Sequence, residues 1–164
     1  MKQGIIYPGN MQQMEVMSEK KELGTASTPR HLWVVGIIAL LWNAMGALDF
    51  VMTQTKNEAY MGEFTPEQLD FFYGFPLWLV VFWAVAVWGG VIGAVVLLLK
   101  NRLAVPIFLA SLIAMLTTTF HNFVLANGME IMGIFGAVFT GVIFVIALAL
   151  FLYARSMQAR GVLK

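Results

Sequence analysis

The sequence predicts an all-α membrane protein, with four transmembrane helices in an up-down bundle and a short interfacial helix between the first two. Three observations predict it. The chain is 60% hydrophobic and only 12% charged, whereas a soluble domain carries about 25% charged residues. The charges are segregated, which leaves four long apolar runs between them. Each run is long enough to span the ~30 Å hydrocarbon core of a bilayer as a helix rising ~1.5 Å per residue.

The first helix is expected at about 31–52. Thr28 reads as its N-cap and Pro29 as its first helical position, where a missing N–H costs nothing. Met1 to Ser27 reads as a polar cytoplasmic tail. Met11, Met14 and Met17 recur every three residues there, which leaves two readings open: a surface amphipathic helix, or a mobile tail, which the polar composition favours. No run of signal-peptide length precedes the first helix, so that helix is expected to serve as the targeting element. The connection from Thr53 to Pro76 holds the run Thr65-Pro66-Glu67-Gln68, a capping box with proline at N1. It predicts a short helix at about 66–73, with Phe71, Phe72 and Tyr73 at headgroup level and Gly74 and Pro76 as its stop. The remaining spans are expected at about 77–99, 103–126 and 129–153. Lys100-Asn101-Arg102 and the Asn127-Gly128 turn separate them. One transmembrane domain thus covers 28–155, followed by a cytoplasmic tail over 156–164.

Of the ten Lys and Arg residues, all but Lys56 fall on one side of this arrangement. Glu58, Glu63, Glu67, Asp70 and Glu130 fall on the other. The basic side should be cytoplasmic, so both termini are expected there. The strength of this bias argues against the small multidrug resistance transporters, which insert both ways. Those proteins also carry a Glu in the middle of helix 1, where this chain has Asn43.

Helices in lipid pack through small residues, because burying apolar surface gains little there. Gly133, Ala137 and Gly141 form such a stripe on the fourth span. Gly90 and Gly93 belong to another on the second. Four helices have too little interior to bury every stripe, which points to a homo-oligomer or a place in a larger membrane complex. Membrane lipids are the other expected partner.

Polar residues inside a span are costly and are therefore the first candidates for function. Asn43 falls near the midpoint of the first span, and Asp49 ~9 Å further out. His121 falls at a depth similar to Asp49 on the third span, with Thr117 and Thr118 a turn below and Asn122 beside it. One reading is a polar site opening outward around an Asp49–His121 pair, suited to proton coupling or pH sensing. The other is structural: Asp49 reaches headgroup water, His121 bonds Thr117 or a carbonyl, and Asn43 bonds between helices.

Several chemistries are excluded. The chain has no cysteine, which removes disulfides, thiol redox and Cys-ligated metals, and with them the quinone-coupled disulfide-forming membrane proteins. His31 and His121 differ in depth by roughly 25 Å, so they cannot ligate one haem. No metalloprotease motif, phosphate-binding glycine loop or nucleophilic serine setting is present. No basic patch suits nucleic acid. No cofactor, no metal and no catalytic residue is expected.

From Thr28 to about Tyr153 the chain resembles a family of small proteobacterial four-helix inner-membrane proteins, often labelled hypothetical or "sugar transporter". The segments that carry the resemblance are PRHLWVVGIIALLWNAMGALDFVMTQTKNEAYM and FTPEQLDFFYGFPLW. It implies the fold and a bacterial inner-membrane location, and it identifies no catalytic residue. The chain lacks the Pro-Gln pair of the short three-helix sugar transporters. The expected role is a transporter-like one or a pore component, with a non-catalytic accessory or assembly subunit as the alternative.

Overall fold

The structure, a computed structural model, describes residues 11, 13–17 and 28–164. Among the described residues every regular element is helical. In chain order they are α1 (Arg30–Gln54), α2 (Glu58–Met61), α3 (Pro66–Tyr73), α4 (Leu77–Leu98), α5 (Ala104–Phe120), a π-helical turn (His121–Leu125) and α6 (Gly128–Ala159). Four helices are long and apolar enough to cross a membrane: α1, α4, α5 together with its π turn, and α6. Their outward faces carry exposed aliphatic residues such as Ile38, Leu41, Val81, Ile113 and Val138, the surface a bundle presents to lipid rather than to water. Within the tail over 1–27, residues 11 and 13–17 are helical, with Met11, Met14 and Met17 exposed; the remainder of that tail lies outside the described residues.

The ends of the bundle differ in charge. Arg30, Lys100, Arg102 and Arg160 mark a basic end, and Glu58, Glu63, Glu67, Asp70 and Glu130 an acidic one. At the acidic end the capping box of α3 forms as its sequence dictates. Thr65 Oγ1 accepts from Gln68 N, and Gln68 Oε1 accepts from Thr65 N at 3.1 Å. Other boundaries differ from expectation. Pro29 is itself the N-cap of α1, in extended conformation with ψ of 138° and no side-chain cap bond, so Thr28 does not cap it. A short helix not expected from the pattern, α2, starts at Asn57, whose side chain accepts from Tyr60 N. The third span leaves α-geometry at His121 and ends in a π turn. The fourth runs six residues further than expected, to Ala159 rather than 153, and breaks at Gly133, where φ is 63° and ψ is −171°. The stretch 156–164 is not a free tail. Val162 and Leu163 are buried in the core, and Lys164 exchanges backbone hydrogen bonds with the α4–α5 loop, to Lys100 O at 2.8 Å and from Arg102 N at 3.0 Å.

The α4 helix is the spine. It packs closely against α1 on one side and α5 on the other, and α5 packs in turn against α6. Glycines on α4 set both approaches. A Cβ on Gly90 would collide with the Asn43 amide of α1, and one on Gly93 would lie 2.8 Å from the Phe108 ring of α5. Gly89 comes against Ser111, whose hydroxyl donates back to Ala86 O at 2.5 Å. Close backbone approach through small residues supplies the dispersion contacts that hold helices together in an apolar solvent. By contrast a Cβ on Gly133 or Gly141 of α6 would meet no atom of the described residues within 4 Å, so these two glycines mark no close helix approach there.

Leu79 and Met61 are buried at the acidic end, but the main apolar cluster lies at the basic end. Leu32, Leu97, Phe108, Leu150, Ala154 and Met157 meet there from all four spans, closed below by Val162 and Leu163. His31 Nδ1 and the Tyr153 hydroxyl, 2.6 Å apart, add a hydrogen bond between α1 and α6 at the same level. The acidic half is built differently.

Candidate functional site

Above the packed core the helices separate around a cavity of about 580 Å³. On α1 it is lined by Trp42, Asn43, Gly46, Asp49 and Thr53, which follow one face at the i, i+4, i+7, i+11 spacing of a helix. Trp83 and Ala86 of α4 form the back wall, and Ser111, Met115 and Thr118 of α5 one side. Phe135, Gly136, Phe139 and Thr140 of α6 form the other. The α2–α3 segment roofs it with Tyr60, Phe64, Gln68 and Phe72, joined by Phe75. These rings meet edge to face, Phe64 with Phe72 at 5.6 Å and Phe75 with Trp83 at 6.0 Å, the geometry favoured by the aromatic quadrupole.

The mouth lies to the side. Met45 of α1 and Phe135 and Phe139 of α6 line the cavity yet are 67%, 81% and 51% exposed. α1 and α6 are not a closely packed pair; across the gap the Trp42 and Phe139 rings stand 6.5 Å apart. Near the acidic end α6 departs from helical φ/ψ at Gly133, and α5 passes into π geometry at His121.

The structure divides the sequence-predicted polar residues. Asn43, Asp49, Thr118 and Asn122 line the cavity; Thr117 and His121 do not. Adjacent helical residues point ~100° apart, so Thr118 and Asn122 share the inward face while Thr117 and His121 share another. Asp49 and His121 are not partners. Asp49 Oδ1 accepts from the Tyr60 hydroxyl at 2.8 Å. His121 Nδ1 lies 3.3 Å from Asn122 Oδ1, and its ring stands edge to face with Trp78 and Phe75, at 5.3 and 6.4 Å. Tyr60, outside the spans, has its phenol pushed up to about 12, by burial first and then by the hydrogen bond and charge of Asp49.

The hydrogen-bond inventory gives the cavity its chemical character. Thr53 donates to Asp49 O at 2.9 Å, Thr118 to Met115 O at 2.8 Å and Thr140 to Gly136 O at 2.9 Å. Asn43 Nδ2 donates to Ala39 O at 2.7 Å. Tyr60 donates to Asp49, and Gln68 Nε2 to Ile131 O at 3.5 Å. These donors are used within the protein. The threonine oxygens keep lone pairs for the space, while the amides of Asn43, Gln68 and Asn122 and the indoles of Trp42 and Trp83 carry further N–H groups. Among the described residues no Lys, Arg or His lines the cavity, and Asp49 is its carboxylate. Among the described residues no group of His, Asp and Glu is arranged to hold a metal ion.

Sequence reasoning missed Tyr60, Gln68, Ser111, Thr140 and most of the aromatic lining. A signal for Tyr60 was present in Asn57-Glu58, an N-cap followed by an acid in the first turn. No protein-family model, no curated protein and no solved structure matches the chain.

Proposed function

We propose that the chain is a four-span protein of a bacterial inner membrane, with its basic end cytoplasmic, and that its cavity binds a small molecule as a transporter or pore component. The observation that carries this reading is the cavity reaching Asn43 at mid-span, with a packed core beneath it. A site enclosed at mid-span, covered at both ends and open on one flank, is an arrangement that a carrier can adopt in one of its states. Irregular helices bordering a cavity are also frequent at functional sites in membrane helices. The α5 π turn and the Gly133 break are such irregularities. The excess of Lys and Arg at the basic end supports the orientation. The lining supplies no general base beside a nucleophile, so the role proposed is non-catalytic.

Native mass spectrometry on protein gently extracted from its own membrane tests this. The expected result is one small molecule retained per chain and lost in Gly46→Phe. Gly46 lines the cavity and has room for a side chain, the nearest atom to a built Cβ being Val87 Cγ1 at 3.8 Å. A chain that carries nothing, or retains its ligand in Gly46→Phe, overturns the reading. A second reading, an accessory subunit of a larger complex, is favoured by α6, the least buried span, where a Cβ on Gly133 or Gly141 would meet no described atom within 4 Å. Extraction at fixed stoichiometry with a different protein is the result that selects it.

A further inference from the structure

We infer that the ligand of this cavity is a lipophilic organic cation that enters sideways between α1 and α6. The inference rests on the cavity being a binding site and adds the chemical class of what it binds.

Three independent features agree. The first is charge: the cavity contains the Asp49 carboxylate and no basic side chain. An anionic ligand would face that charge in a low-dielectric space with nothing to offset it, whereas a cation would be attracted. The second is the aromatic lining. Trp42 of α1 and Trp83 of α4 both line the cavity, with Phe72, Phe75, Phe135 and Phe139. Aromatic faces attract cations through the ring quadrupole, most strongly where water is excluded, and tryptophan is the strongest of them. The third is the hydrogen-bond inventory. Asn43, Thr53, Tyr60, Thr118 and Thr140 direct their donors to carbonyls or to Asp49. The hydroxyl oxygens of Thr53, Thr118 and Thr140 thereby keep lone pairs for a ligand, which complement a positive charge, beside the amides of Asn43, Gln68 and Asn122.

The route follows from the mouth. The α2–α3 segment covers the cavity at the acidic end, and the core closes it at the basic end. The exposed cavity residues Met45, Phe135 and Phe139 lie on the flank between α1 and α6. A flank opening on membrane-length helices admits molecules already dissolved in the lipid. That selects a charged group carried on a large apolar body over a hydrophilic solute such as a sugar.

Two near-isosteric probes of opposite charge provide the test: tetraphenylphosphonium and tetraphenylborate, titrated into the full chain in neutral detergent while tryptophan fluorescence is read. Saturable quenching by the phosphonium is expected, about tenfold or more tighter than by the borate. Asp49→Asn, which keeps an acceptor for Tyr60, should reduce that preference to near unity. Asp49→Glu should restore it in part, which separates charge from folding. Gly46→Phe should abolish phosphonium binding. Equal binding of both probes, lost together in Gly46→Phe, would overturn the cation assignment and leave the cavity reading standing. Phosphonium binding unaffected by Gly46→Phe would place the ligand elsewhere and overturn the inference, as would the absence of phosphonium quenching.

Discussion

Gly90→Ala offers the sharpest test of how α1 meets α4. The new Cβ would overlap the Asn43 amide oxygen and lie 2.7 Å from Asn43 Cγ, but 3.4 Å from Asn43 Cβ. Either the helices part, an overpacking cost of about 1–3 kcal/mol, or the amide rotates away and gives up its bond to Ala39 O, about 0.5–1.5 kcal/mol. Against this, alanine is the better helix former by about 1 kcal/mol. Net of that gain, the single variant should be destabilised by up to about 2 kcal/mol if the helices part and hardly at all if the amide rotates. Asn43→Ala removes the colliding atoms and leaves a Cβ already at ordinary contact distance. Because the lost hydrogen bond lay within α1 itself, that change alone should cost under about 1 kcal/mol. In the double variant the collision is gone and only the propensity gain remains, so it should match or exceed the stability of the parent chain. Unfolding of all four proteins in mixed micelles gives the double-mutant cycle directly. If Gly90→Ala is as stable as the parent, or if Asn43→Ala fails to rescue it, the contact does not set the helix spacing.

Three further outcomes are expected. Leu32→Ala at the basic end, where the side chain is fully buried, should cost about 2–4 kcal/mol in the same assay, while Phe135→Ala at the cavity mouth should cost little; comparable losses at both sites would contradict an open cavity above a packed cluster. For Gly133→Ala a Cβ meets no atom within 4 Å, so its cost is all backbone, about 1–3 kcal/mol, visible as a lower melting temperature; an unchanged melt would mean the break at Gly133 is not required. The Tyr60 phenol, raised by burial and by Asp49 to about 12, lies above its unfolded value of ~10. Its contribution to stability is thus complete below pH ~10 and disappears as pH rises through about 12. Tyrosinate absorbance of the parent minus that of Tyr60→Phe should show this late step, and a difference curve centred at the unfolded value would refute the pairing with Asp49.

The four long helices were legible because length and hydropathy are one-dimensional properties of the chain. The capping box of α3 was legible for a related reason: Thr65, Pro66 and Gln68 act within one turn. Counting residues along a span gives a position along its axis. Direction around the helix axis was not legible. Asp49 and His121 were placed at one height, yet His121 turns towards Trp78 and Phe75 while Asp49 faces Tyr60. Gly133, Ala137 and Gly141 share spacing with a packing stripe, but the spacing cannot tell a contact from a backbone break, and Gly133 is the break. α2 is four residues long, too short for a periodic signal, so the partner of Asp49 stayed hidden. The cavity was out of reach because it arises where two helices fail to pack, and no residue pattern encodes an absence of contact.

The burial of Val162 and Leu163 against the α4–α5 loop bears on how the chain is assembled. α1, α4 and α5 form a contiguous row in which each helix touches the next, so that row can close while α6 is still being synthesised. α6 then joins a wall already built, gripped at the basic end by Leu150, Ala154 and Met157 together with Val162 and Leu163, and touched more lightly at its other end, where Gln68 reaches Ile131 O. A segment gripped firmly at one end and lightly at the other is a lever: small changes near the grip are magnified towards Phe135, which borders the mouth.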